Sequence, residues 1–342
     1  MSVKQKVIQL VPRPVRRGRE RVIRVQRTMQ ELVPAFAYDF RRYLRHSSST
    51  GPYGSKENLR SKITATYHNL EKGLSLSDPR PGFGEQPVGT LVTLLSAYLS
   101  AYGYDAWVTT PLLVLRSYRD FNESAGAVTP HHAAITALLL EAEHHLAAQS
   151  GAAGVRQVER TQIERAVGTT GLDFFSSRSS VRQYSDVPVD VADIEFAAAA
   201  AQRAPAVCNR QYNRVYVHTD KAEIARILEV QGGARGFGTE LGGLAIITSD
   251  LRNFWAAGER NQAWVDGGLF AMSFVLGLHA RGLGTICLNW SKPPSIDRRL
   301  REVADLPAEA VVIMLVGFGV LRDSYTVASS NRVPLNEVLE LR

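Results

Sequence analysis

The 342-residue chain has little cysteine: only Cys208 and Cys287. Two thiols exclude a disulfide framework, and the scarcity suits a reducing compartment, so a cytoplasmic location is expected. Long apolar runs are also missing. The longest, Val311-Val312-Ile313-Met314-Leu315-Val316, is strand-sized, far short of the ~20 residues of a membrane-spanning helix. The basic N-terminus lacks the following apolar stretch that a secretory signal needs. Acid is scarce in one region only. Residues 1–60 carry 14 Lys+Arg against 4 Asp+Glu, whereas residues 61–170 carry 8 against 10 and residues 171–342 carry 18 against 19. The net charge of +7 therefore belongs to the N-terminus, unlike that of a uniformly basic nucleic-acid binder. Repeats and low-complexity tracts are absent, and β-like runs are few before residue 170.

What is present divides the chain. Residues 1–45 read as a basic arm and amphipathic helix. Val22, Val25, Met29, Leu32, Phe36, Phe40 and Tyr43 recur at three- and four-residue steps among arginines. Pro34 is expected to kink or divide that helix. It either packs on its own domain or rests on an anionic membrane or a partner, the latter contact being weak. Residues 46–150 read as a helical domain with helices at 57–75, 88–102, 107–122 and 128–148, the last capped at Thr129-Pro130. Residues 76–87 read as a Pro/Gly loop. Residues 151–172 read as a linker holding a short charged helix at 155–166.

Residues 173–342 alternate helices (191–203, 220–231, 262–281, 295–304) with strands (214–218, 244–248, 284–288, 310–316). That pattern predicts an α+β sheet covered by helices.

Four segments carry candidate chemistry. Arg178-Ser179-Ser180-Val181-Arg182-Gln183-Tyr184 offers guanidinium forks and hydroxyls suited to phosphate oxygens. Ala204-Pro205-Ala206-Val207-Cys208-Asn209-Arg210-Gln211 follows an alanine-rich helix and precedes a strand. Cys287-Leu288-Asn289-Trp290 ends the strand that follows the long apolar helix. Asn331-Arg332-Val333-Pro334 lies near the C-terminus. Other features have plainer readings. Gly236-Phe237-Gly238 precedes a strand instead of following one, the wrong context for a dinucleotide loop. It reads better as a lid, with Arg235 a further candidate ligand. His131-His132 and His144-His145, with Glu141 and Glu143, have no metal-ligand spacing and suit a helical surface. No metal is expected.

The order and spacing of the four segments resemble the nitroreductase-like FMN-dependent flavoprotein family over about residues 172–340. The resemblance implies a central, mostly antiparallel sheet flanked by helices, here preceded by an all-helical N-terminal domain. It implies FMN bound noncovalently by Arg178, Ser179, Ser180, Arg182, Pro205, Ala206, Val207, Asn209, Gln211, Cys287, Leu288, Asn289 and Arg332. Arg178 and Arg332 would serve the phosphate, and Arg182 the pyrimidine edge of the ring. No catalytic side chain is required, because the flavin carries the chemistry. Cys287 reads as a small residue under the flavin, or else a nucleophile without visible activation. The loop around Asn209 would reach the flavin of the partner subunit, hence a homodimer. Ala206 stands where the family usually has serine, and Ser330 where a second cation is common.

The implied activity is hydride transfer from NADH or NADPH to an electron-poor small molecule, such as a nitro or quinone compound or a biosynthetic intermediate. Alternatives are a same-fold dehalogenase or dehydrogenase, or a non-catalytic flavin-binding scaffold of a membrane-associated assembly. The string Tyr67-His68-Asn69-Leu70-Glu71-Lys72-Gly73-Leu74-Ser75, with Arg80-Pro81-Gly82-Phe83-Gly84, resembles extensions found on some relatives. It is expected either to dock on the flavin domain and close the pocket or to pack locally.

Overall fold

The computed structural model describes residues 13–48, 55–76, 79–147, 154–155, 170–327 and 334–342; for residues 13–21 and 24 it describes the backbone alone. The N-terminal half is helical: α1 (Arg13–His46), α2 (Lys56–Leu74), α3 (Glu85–Tyr102), α4 (Thr109–Ser124), α5 (His132–Glu141) and α6 (Glu143–Ala147). α2 starts where the Ser55 hydroxyl accepts the Asn58 N–H at 3.1 Å, satisfying one orphan donor of the first turn. Its Ile63, Tyr67, Leu70 and Leu74 recur at helical spacing and join Leu91, Leu95, Leu112, Leu115 and Ile135 in one buried core. A Cβ on Gly73 would overlap the Phe83 ring, so glycine is what lets the 80–84 loop close over α2. That loop is pinned by Tyr118, whose hydroxyl donates to the Phe83 carbonyl at 2.5 Å, and by Asn122, which accepts the Gly82 N–H at 2.6 Å.

The C-terminal half contains α7 (Leu172–Ser177), α8 (Val191–Ala201), β1 (Asn213–His218), α9 (Lys221–Gln231), β2 (Gly243–Asp250), α10 (Gln262–Ala280), β3 (Leu283–Asn289), α11 (Pro294–Val303) and β4 (Ala310–Val320). The sheet order is β1-β2-β4-β3, and every pair is antiparallel. β2 is buried at all of its positions because helices cover both faces. Strand alternation sends Ala245 and Ile247 toward α8 and α10, and Leu244 and Ile246 toward α9 and α11. α8 and α10 approach closely through small residues. A Cβ on Gly277 would lie 2.7 Å from the Ala197 Cα.

The expected antiparallel α+β sheet behind a helical N-terminal half is therefore present. Several local expectations need correction. α1 runs unbroken through Pro34. The carbonyl of Gln30, which loses its partner there, belongs to an exposed residue and can turn to solvent. The helix expected over 128–148 begins at His132, after a turn at Thr129–His131, and divides at Ala142. α3 starts at Glu85, inside the stretch read as loop, and β4 extends to Val320. The helix expected at 155–166 lies outside the described residues. By length and composition the helical stretch Ala257–Ala280 could cross a bilayer, although no continuous apolar run marks it. Half of its apolar window is buried within the fold.

The two halves dock through α2. Asn58 donates its amide to the Arg252 carbonyl, and Ser61 donates to the Asn253 carbonyl at 2.8 Å. Arg252 lies 3.3 Å from Glu57, and the Lys62 ammonium sits 4.6 Å from the Trp255 ring centroid.

Candidate cofactor site

The segment 178–185 lies along β3 and the end of β4. Ser180 pairs with Thr285, the Val181 N–H donates to the Thr285 carbonyl at 2.9 Å, and the Ser185 N–H donates to the Val320 carbonyl at 2.9 Å. Tyr184 anchors the segment. It is almost wholly buried, its hydroxyl donates to the Val181 carbonyl at 2.8 Å, and burial raises its pKa. A Cβ on Gly319 would lie 2.8 Å from the Tyr184 ring, so glycine makes room for it. Glu240 accepts the Tyr184 N–H at 3.1 Å and pairs with Arg322 at 2.9 Å.

Among the described residues this frame leaves two cations without a carboxylate partner. Among the described residues Arg178 forms no hydrogen bond or ion pair. Its field reaches the Cys287 thiol. Arg182 makes one long 3.5 Å contact to the Ser180 carbonyl and sits 5.9 Å from the Phe237 ring centroid. On β3, Cys287 and Asn289 are open to solvent while Leu288 turns into the core. Cys287 is exposed by surface area, while the atoms around it partly desolvate the thiol and raise its pKa, with Arg178 pulling the other way. An inert thiol suits the reading of a small surface residue over that of a nucleophile. Arg178, Ser179, Ser180, Arg182 and Cys287 thus share one rim at the free edge of β3, and Asn289 projects on the same side of the strand as Cys287.

The second cluster is a loop under backbone strain. Cys208, Asn209 and Gln211 all adopt the left-handed conformation, at φ of 51°, 53° and 54°. Each such non-glycine residue costs roughly 1–2 kcal/mol, and strain of this kind collects at functional loops. Asp266 of α10 holds the loop. It accepts the Val207 N–H at 2.7 Å, the Tyr212 hydroxyl, and the Gln262 amide at 2.7 Å. Burial and the Asp266 hydrogen bond push the Tyr212 pKa up strongly. Arg210 is the other clamp. Its fully buried guanidinium pairs with Glu259 at 2.6 Å, donates to the Asn253 carbonyl, and stacks 4.2 Å from the Trp255 ring centroid. What emerges at the surface is the Asn209–Gln211 pair, joined at 3.2 Å.

One chain does not bring the two clusters together. β1, which the Asn209 loop feeds, and the 178–185 segment flank opposite edges of the sheet. Four interstrand spacings separate them, about 19 Å. Arg332 lies outside the described residues.

Asp266, Arg210 and Glu259 position the loop, a role that no local cue in the sequence assigns to them. A third element was only half readable. Asn58, Ser61, Ala65, His68 and Lys72 repeat at three- and four-residue steps, opposite the apolar stripe of α2. Asn58 and Ser61 on that seam meet the 252–253 turn, and α2 also packs against Val207–Asn209. Within the Tyr67–Ser75 motif, Tyr67, Leu70 and Leu74 pack into the helical core. His68 is oriented by Glu71, Nδ1 to Oε2 at 3.0 Å. The other histidines have ordinary roles: His145 shares a 3.0 Å hydrogen bond with Thr109, and His132 lies 3.6 Å from Glu123.

A family model described as the nitroreductase family matches residues 175–234 and 239–320. The matched stretch lies within the C-terminal half of the chain, which resembles a nitroreductase-family domain there. The interruption in the match falls on Arg235–Gly238, the loop whose Phe237 lies beneath Arg182. No curated protein matches the chain. Among solved structures, an FMN-dependent nitroreductase from Clostridium difficile is 20% identical, covering 50% of this chain and 99% of its own, at a TM-score of 0.43. A Desulfovibrio desulfuricans protein described as a nitroreductase, in complex with FMN, is 21% identical, covering 50% and 95%, at 0.43. The family match starts at Phe175, and the helices α1–α6 precede it in the chain.

Proposed function

We propose that the protein is an FMN-dependent oxidoreductase that passes hydride from NADH or NADPH to an electron-poor small molecule of the nitro, quinone or biosynthetic-intermediate type. The unpaired guanidiniums of Arg178 and Arg182, on one rim with Ser179, Ser180 and Cys287, carry this reading. A half-buried and an exposed cation with no carboxylate partner among the described residues are chemically matched to an anion. When bound, FMN supplies the two-electron hydride chemistry. Arg178 holds its phosphate with the two serines, and Arg332 is assigned to the same group. Arg182 lies where a guanidinium would offset negative charge on the ring. Cys287, Leu288 and Asn289 form the floor. Pro205, Ala206, Val207, Asn209 and Gln211 complete the site from the far edge of a second copy, a reading that the edge-to-edge separation within one chain supports.

A homodimer also suits α10, where Trp264, Val265, Leu269 and Met272 leave a row of apolar side chains exposed. His68 and Lys72, continuing the α2 seam past the Asn209 turn, are assigned to the wall of the substrate pocket. We divide the chain into an arm (1–45), a helical domain (46–150), a linker (151–172) and the nitroreductase domain (173–342), and place it in the cytoplasm.

The test is the absorption spectrum of the purified protein, followed by anaerobic titration with each nicotinamide. Flavin bands that bleach with NADH or NADPH are the expected result. Bound flavin that neither donor bleaches would indicate a non-catalytic flavoprotein. A colourless protein that takes up no added FMN would refute the proposal.

A further inference from the structure

The helix α1 leaves its apolar stripe uncovered. Its polar side docks on the body near the inner end. The Tyr38 hydroxyl donates to Asp297 at 2.8 Å, and Arg42 donates to the Ala308 and Ala310 carbonyls at 3.0 and 2.6 Å. The apolar stripe lies about 140° around the helix, at 100° per residue. The described side chains between Val22 and Pro34 stand clear of the body on every face. Val22, Val25, Met29, Leu32, Phe36 and Phe40 are all exposed, Phe36 by 69% and Phe40 by 63%. Only Tyr43, at the inner end, is covered, stacked on Phe254. The uncovered stripe is about 27 Å long. Burying an apolar stripe is what normally stabilises such a helix, so an outside surface must supply the cover.

Charge selects the surface. Residues 13–27 contain seven arginines and one glutamate. The rest of the chain, beyond residue 60, carries a net charge of only −3, a weak match for that density. Lipid phosphates match it well. An outward apolar stripe, an arginine-rich remainder and low overall hydrophobicity together describe an interfacial helix.

We propose that α1 lies in the plane of an anionic bilayer, with Val22, Val25, Met29, Leu32 and Phe36 in the headgroup boundary and the arginines among lipid phosphates. The competing occupant is a second copy. Phe36 and Phe40 border an apolar groove of about 560 Å³ with the exposed Trp264.

The test uses the full-length protein sedimented with vesicles of phosphatidylcholine alone or with 30% phosphatidylglycerol. We expect at least ~10-fold stronger partition into the anionic vesicles, falling in high salt. The triple variant Val22→Ser, Val25→Ser, Met29→Ser, which alters only outward positions, should lose ~10-fold in partition at unchanged solution mass. Equal partition into both vesicle types would overturn the proposal, as would partition that the triple variant leaves intact. A variant that halves in mass by light scattering would also overturn it, assigning the stripe to the second copy.

Discussion

Replacing Asp266 with alanine tests whether the Asn209 loop is a clamped, strained device. The carboxylate is almost wholly buried and accepts three hydrogen bonds. Without it the Tyr212 hydroxyl, on a side chain only 4% exposed, has no acceptor, a cost of about 2–3 kcal/mol. The Val207 N–H is half-buried and water reaches it more readily, so about 1 kcal/mol is lost there. The expected destabilisation is about 3–4 kcal/mol, or a melting midpoint lower by ~8–12 °C for a unit of this size. Release of the loop should also scatter the Asn209 and Gln211 side chains. Flavin affinity should therefore fall beyond what the melting shift alone explains. Asp266→Asn keeps an acceptor for Val207 and Tyr212 and should cost only about 1 kcal/mol. Circular-dichroism melts and flavin content after gel filtration read both quantities. An alanine variant melting within 2 °C of the parent with full flavin content would refute the clamp.

Arg182→Gln should lower the flavin potential by tens of millivolts in a redox titration while flavin stays bound, because it removes a charge and not the phosphate grip. Asp105 should govern acid stability. Burial acts to raise its pKa, but hydrogen bonds from Lys56 and Tyr98 and the charge of Arg60 overcome this and hold it at about 2. A depressed carboxylate stabilises above its unfolded value near 3.8 and loses that contribution as pH falls from about 4 to about 2. With partial exposure discounted, Asp105→Asn should remove about 1–2 kcal/mol of that pH dependence in urea unfolding curves. Gly277→Val should force α8 off α10 and cost more than ~3 kcal/mol, whereas the same change at Gly268, which has open space around it, should cost under ~1 kcal/mol.

Much of the fold was readable because its cues are local. The strands of the C-terminal half are apolar runs bounded by turn residues, and the helices between them carry clear periodicity. Element boundaries were harder to read. The Thr129-Pro130 cap falls in the turn before α5, the break at Ala142 has no marker, and the loss at Pro34 is absorbed by solvent. Arg178, Ser180 and Cys287 were named from their segments, and the sheet then placed them on one rim. Asp266 could not be found this way. It stands inside an apolar helix and touches the loop only after β1 and α10 have packed. The orientation of α1 was equally hidden, since periodicity reveals a stripe but not which way it is mounted.

The sheet puts the arginine rim on one flank of each chain and the asparagine turn on the other, and this has a genetic consequence. Chains spoiled at Arg178 and chains spoiled at Asn209 should each be inactive alone, yet mixing and reassembling them should restore about a quarter of normal turnover. Half of the reassociated pairs would be hybrids, each combining one intact pocket with one doubly damaged pocket. Two mutually silent alleles that rescue each other would mark an active centre owned by neither polypeptide.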